Sequence, residues 1–110
     1  MSRILLVGVD NDVFAVCKKC LDAHSEIRLV QTGKQALVEL ESNFFDLAII
    51  CQHTRDMNVV EMTAAIRATN TFLPIIILSR YRFKMHGANT LLVHPITGDH
   101  LLAAIRGFIE

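Results

Sequence analysis

The sequence has no excess of charge of one sign and no long apolar run, and because Met1-Ser2-Arg3 leads into a strand-like run we expect no signal peptide. Eleven basic residues balance eleven acidic ones, so no global field attracts nucleic acid or an anionic membrane. No stretch approaches the roughly 20 consecutive apolar residues of a membrane span. We therefore expect a cytoplasmic chain with no membrane partner, in which any nucleic-acid contact would need a local patch.

Cysteines are also few. The chain has three, Cys17, Cys20 and Cys51, and an odd number without a secretory signal argues against a disulfide framework. Cys17 and Cys20 form a Cys-Lys-Lys-Cys motif, which on spacing alone is half of a zinc site or a redox motif. The other half is missing and the motif lies in a predicted amphipathic helix, so we expect buried, inert thiols.

What is present favours a packed core. The chain has 110 residues, of which 52% are hydrophobic and 20% charged, and its mean hydropathy is +0.39. This length suits one domain over residues 1–110, and this composition argues against disorder. There is no internal repeat, linker or low-complexity tract.

Short apolar runs alternate with segments of helical periodicity along the chain. The runs predict strands that are buried on both faces, at residues 4–7, 27–30, 47–51, 75–78 and 91–93. Between and after them, apolar spacing predicts helices from a cap at Asp10 or Asn11 to about residue 24, then near 36–44, 59–68 and 101–108. This alternation predicts an α/β fold with a parallel sheet covered on both faces.

In such a sheet, ligands gather outside the carboxyl ends of the strands. The residues at or just after those ends include Gly8, Val9, Cys51, Ser79 and His94. The chemistry of the chain therefore depends on what these side chains do.

Six ordered segments make the sequence resemble the receiver domain of bacterial response regulators. They are Ile4-Leu5-Leu6-Val7, Gly33-Lys34-Gln35-Ala36-Leu37, Phe45-Asp46-Leu47-Ala48-Ile49-Ile50, Leu73-Pro74-Ile75-Ile76-Ile77-Leu78-Ser79, Gly87-Ala88-Asn89 and His94-Pro95-Ile96. The resemblance implies a flavodoxin-like three-layer sandwich whose five parallel strands follow the order 2-1-3-4-5.

The same resemblance implies a degenerate phosphorylation site. The aspartate nucleophile of the family aligns with Cys51, and its acidic magnesium pair aligns with Gly8 and Val9. The family's lysine aligns with His94, and only Ser79 retains the chemistry of its position, that of the switch hydroxyl. Asp10 and Asp12 lie too far along the chain to replace the pair, and we expect them to act as helix caps.

A second departure from the family lies between the fourth and fifth strands. Residues 80–86 are about two helical turns shorter than the family segment, so we expect the fourth helix to be truncated or absent. The segment begins Arg80, Tyr81, Arg82, Phe83 and Lys84, which alternates cations with aromatics. We interpret it as an exposed protein-binding loop, with nucleic-acid contact as the alternative.

Cys51 also admits an alternative interpretation. The fold would bring His94 and His53 near this thiol, and an imidazolium can make a thiol reactive. The three side chains would also present ligands to zinc or copper, although no fourth ligand is evident. Otherwise Cys51 fills the vacated pocket as a small hydrophobic residue.

We therefore expect a phosphorylation-independent pseudo-receiver, which is not an enzyme and has no cofactor or metal. It would bind protein partners in signal transduction or transcriptional regulation, such as a fused output domain or a second copy. The alternative is a ligand-, metal- or redox-responsive sensor that uses the pocket around Cys51, Ser79 and His94.

Overall fold

The computed structural model describes residues 2–20, 25–51, 54–83 and 87–109. Its five strands are β1 (Arg3–Val7), β2 (Glu26–Val30), β3 (Leu47–Cys51), β4 (Ile75–Ser79) and β5 (Thr90–Val93). The helices within the described ranges are α1 (Asn11–Cys20), α2 (Gly33–Ser42), α3 (Val59–Thr69) and α4 (Gly98–Ile109). The predicted strands are all present, and the predicted end of the first helix lies outside the described residues.

All described strand pairs are parallel, and the sheet order is β2-β1-β3-β4-β5. This confirms the predicted flavodoxin-like α/β architecture. The apolar strand sequences are explained by burial, because helices cover both faces of the sheet and every residue of β4 is buried.

Two apolar clusters lie on opposite faces of the sheet. One joins the sheet to α2 and α3 and includes Ile50, Met62 and Ile66, and the other joins it to α1 and α4 and includes Leu101 and Ile105. Cys17 is fully buried in the second cluster, as predicted. The side chain of Cys20 lies outside the described part of the chain.

Capping side chains fix where the helices begin. Thr32 caps α2, and its hydroxyl accepts a hydrogen bond from the Gln35 N–H while the Gln35 side chain accepts one from the Thr32 N–H. The Asn58 side chain caps α3 by accepting from the Glu61 N–H at 2.8 Å. None of the helices in the described ranges is both long and apolar enough to cross a bilayer.

Candidate functional site

The carboxyl ends of β1, β3, β4 and β5 bring the predicted site positions to one edge of the sheet. Val7 is in register with Ile50, and Cys51 with Leu78. Ser79 is in register with Val93, and its carbonyl accepts a hydrogen bond from the His94 N–H at 2.8 Å. Gly8, Cys51, Ser79 and His94 therefore end or follow neighbouring strands at this edge.

The first two residues after β1, Gly8 and Val9, are not acidic. Gly8 has a φ of 66°, a conformation that glycine adopts without steric cost, and its N–H donates to the Val30 carbonyl at 2.9 Å. Val9 is buried in the apolar cluster under α1. The next residue, Asp10, caps α1 by accepting a hydrogen bond from the Val13 N–H at 2.8 Å, which confirms the predicted capping role.

A second acid at this edge, Asp56, also binds a helix N-terminus. It lies in the connection after β3, and its two carboxylate oxygens accept hydrogen bonds from the Gly33 N–H at 2.8 Å and the Lys34 N–H at 3.0 Å. These backbone donors of α2 lower the pKa of Asp56 below its ordinary value of 3.8. Asp56 therefore ties the connection after β3 to α2.

Sequence reasoning missed this role of Asp56 because its partners lie 22 and 23 residues earlier in the chain. Gly33 lies in the same contact region, where an added Cβ would meet the Met57 Sδ at 2.6 Å and this flexible side chain would have to shift. An aspartate in a loop after a strand was the only signal available. It carries no information about which helix the carboxylate reaches.

The side chains at the ends of β3, β4 and β5 differ in exposure. Cys51 is half-buried and forms no disulfide, and His94 is exposed and precedes a cis peptide bond to Pro95. Ser79 is buried, and its hydroxyl donates to the Tyr81 carbonyl at 2.7 Å and accepts from the Tyr81 N–H at 3.0 Å. The Ser79 hydroxyl is thus engaged with the backbone of the following segment.

The connection between β4 and β5 is not helical in its described residues, 80–83 and 87–89. Arg80, Tyr81 and Arg82 are exposed, whereas Phe83 is half-buried and packs against the cluster under α2 and α3. Lys84, the last residue of the predicted partner-binding loop, lies outside the described residues. The described part of the loop therefore presents three side chains to solvent and anchors itself through the fourth.

Arg67 on α3 holds the second half of this connection. Its guanidinium donates to the Gly87 carbonyl at 2.7 Å, the Asn89 side-chain oxygen at 3.1 Å and the Asn70 carbonyl at 3.1 Å. Partial burial lowers the pKa of Arg67, but the guanidinium stays protonated at any physiological pH. The connection is thus held at both ends.

A cavity of about 370 Å³ opens at the same edge of the sheet, and its lining includes Gly8, Gln31, Thr32 and Arg55. Cys51, Ser79 and His94 are not in that lining, although the predicted sensor pocket contains all three. Among the described residues, no group of three His, Cys, Asp or Glu side chains is arranged to hold a metal ion. His53 lies outside those residues, so the Cys51-His53-His94 ligand set stays a prediction.

Solved structures of receiver domains share this fold along the whole chain. The chemotaxis response regulator CheY4 of Vibrio cholerae is 23% identical with a TM-score of 0.84, and the match covers 99% of each chain. A two-component response regulator from Clostridium difficile is 20% identical with a TM-score of 0.86, covering 99% of this chain and 96% of the other.

A third similar structure contains a partner. It is a complex of the histidine kinase ThkA with the response regulator protein TrrA, and the match is 22% identical with a TM-score of 0.83 over 100% of each chain. No protein-family model and no curated protein matches the sequence. At these identities the comparisons establish that the chain has the fold of a response-regulator receiver domain.

Proposed function

We propose that the chain is a phosphorylation-independent pseudo-receiver that acts by binding protein partners in signal transduction or transcriptional regulation. In this proposal residues 1–110 form one domain, which works in the cytoplasm and catalyses no reaction. One observation carries the proposal: Gly8, Val9 and Cys51 offer no carboxylate, while the nearby Asp10 caps α1 and Asp56 accepts hydrogen bonds from the N-terminus of α2.

The missing carboxylates matter because of the chemistry of phosphorylation. An acyl phosphate forms only on a carboxylate oxygen, and the thiol of Cys51 does not supply one. Magnesium prefers oxygen ligands and bridges the transferring phosphoryl group, but Gly8 and Val9 have no side-chain oxygen. The remaining hydroxyl, that of Ser79, is hydrogen-bonded to the backbone of Tyr81 and would have no phosphoryl group to sense.

A protein partner is supported by the fold and by the connection between β4 and β5. The response regulator in the ThkA complex binds a histidine kinase, which is a precedent for protein binding on this fold. In this chain the expected truncation of the fourth helix would leave the loop that begins at Arg80 exposed to a partner. A fused output domain and a second copy of the chain are both candidates for the partner.

Thermal melting with added metal ions tests this proposal against the sensor alternative. A ligand that binds only the folded state raises the melting midpoint with the logarithm of its concentration. We expect millimolar magnesium to leave the midpoint unchanged, because the acidic pair is absent. A midpoint that rises with magnesium would contradict the proposal.

Zinc supplies the discriminating arm of the same experiment. A sensor site at Cys51, His53 and His94 would raise the midpoint with zinc and lose that response on Cys51→Ser. The matched control is Cys20→Ser, which would abolish a response that came from the Cys-Lys-Lys-Cys motif instead. We expect no zinc response, and a shift abolished only by Cys51→Ser would establish the sensor.

A further inference from the structure

The outer edge of β5 lacks the features that usually protect an edge strand. Among the described strands β5 pairs only with β4, so the other side of Thr90-Leu91-Leu92-Val93 has no strand partner. All four residues are half-buried, and none is charged or proline. Edge strands of this kind offer unpaired backbone groups to another extended chain, and charges or proline normally discourage such pairing.

Exposed cations lie at the carboxyl end of β5. The hydrogen bond from the His94 N–H to the Ser79 carbonyl places Arg80 next to the end of β5. The side chains of Arg80 and Arg82 are exposed, and the Tyr81 ring between them is 67% exposed. These three residues form what we call the basic turn.

The backbone of the basic turn is held in place. The Ser79 hydroxyl makes two hydrogen bonds to the backbone of Tyr81, and Phe83 packs with Leu91 against the cluster under α2 and α3. The two guanidinium groups therefore extend from an ordered backbone, which reduces the entropy lost when they bind a ligand.

The arginines of the basic turn form no ion pair within the described residues. The ion pairs found in the described residues join Arg3 to Glu26 and Arg28 to Glu39, and neither involves the basic turn. The basic turn therefore carries two arginine charges that form no ion pair within the described residues, in a chain that is neutral as a whole. An arginine fork matches a carboxylate in geometry as well as charge.

We infer that β5 and the basic turn bind an extended acidic segment of a partner protein. The segment adds to the open edge of β5 through its backbone, and its carboxylates pair with Arg80 and Arg82. This inference rests on the proposed function and deepens it by naming the chemistry of the partner. A single-stranded nucleic acid would also meet an Arg-Tyr-Arg sequence, and the neutral chain gives it no long-range attraction.

The test is fluorescence anisotropy with a labelled peptide of alternating glutamate and valine. Controls are a lysine–valine peptide and a single-stranded oligonucleotide of equal length. We expect the acidic peptide to bind most tightly and the double variant Arg80→Ala/Arg82→Ala to lose at least about tenfold in affinity. The charge-matched control Arg28→Ala/Arg55→Ala should keep the affinity of the unchanged chain, and circular dichroism checks that both variants fold.

Amide exchange supplies the second readout, because strand addition protects backbone groups. The bound peptide should slow exchange at β5 more than at β2. Equal binding by the two double variants, tighter binding of the oligonucleotide, or no binding of the acidic peptide would overturn the inference. If the acidic peptide fails to bind while magnesium leaves the midpoint unchanged, the partner chemistry is wrong, whereas the loss of the magnesium site in the proposed function is unaffected.

Discussion

The two edge strands of the sheet differ in how they carry charge. β2 contains Glu26 and Arg28, and each forms an ion pair within the chain, at 3.1 Å to Arg3 and 2.8 Å to Glu39. β5 contains no charged residue, and the exposed cations next to it belong to the basic turn. One edge strand is therefore charged and neutralised within the chain, whereas the other is uncharged and has exposed cations at its carboxyl end.

This contrast separates a protected edge from an open one. Paired charges on an edge strand discourage the approach of another strand and leave little for a partner to neutralise. An uncharged edge strand with exposed arginines at its end offers both a backbone template and a charge to be paired. The totals of eleven acidic and eleven basic residues do not show this asymmetry, because the asymmetry depends on where the charges lie.

The largest effect is expected from Phe83→Ala, which removes the side chain that anchors the basic turn. Because Phe83 is half-buried against the core, its loss should destabilise the fold by about 2 kcal/mol, less than for a fully buried phenylalanine. Phe72, 92% exposed, is the control, and Phe72→Ala should change stability by less than about 0.5 kcal/mol. Chemical denaturation measures both, and equal small losses would mean that Phe83 anchors nothing.

A smaller effect, dependent on pH, is expected from Asp56→Asn on the β2 side of the molecule. The folded-state pKa of Asp56 is lowered, so the carboxylate stabilises the fold above its ordinary pKa of 3.8. That stabilisation is lost as the pH falls through the lowered folded-state pKa. The melting midpoint of the unchanged chain should exceed that of Asp56→Asn at neutral pH, and the difference should shrink in acid.

The control for Asp56 is Glu41→Gln, which removes an exposed acid near the other end of α2. It should show a smaller difference from the unchanged chain at neutral pH. If Asp56→Asn and Glu41→Gln follow the same pH profile, the carboxylate of Asp56 does not hold the connection to α2.

The smallest effect is expected at the ion pair that neutralises β2. Arg28 is largely exposed and Glu39 is mostly covered, so a double-mutant cycle with alanine at both positions should give a coupling of about 0.5 kcal/mol. High salt should reduce that coupling. A coupling that is absent even at low salt would mean that Glu39 does not neutralise Arg28 on β2.

Much of the fold could be predicted because strand and helix periodicity is local. The apolar run at residues 75–78 predicts a buried strand from its side chains alone, and the strand in the structure is longer by only one residue, Ser79. Capping by Asp10 could also be predicted from the sequence, because its partner Val13 is only three residues away. Such features depend on neighbours in sequence.

The contacts of the candidate site were harder to foresee because they join distant segments. Arg67 reaches Gly87 and Asn89 across 20 and 22 residues, and nothing in the spacing of Arg67 indicates those acceptors. Phe83 was expected to be exposed with its neighbours, but it packs against the core. Phe83 lies in the described part of the connection between β4 and β5, and its packing against the cluster is a tertiary effect that periodicity does not encode.

The proposal that the chain is not phosphorylated is tested most directly by its intact mass after treatment with acetyl phosphate or phosphoramidate in the presence of magnesium. We expect no added phosphoryl group, on either the unchanged chain or Cys51→Asp, because Gly8 and Val9 still supply no acid to hold the metal. A mass increase of one phosphoryl group that disappears on Cys51→Ala would contradict the proposal.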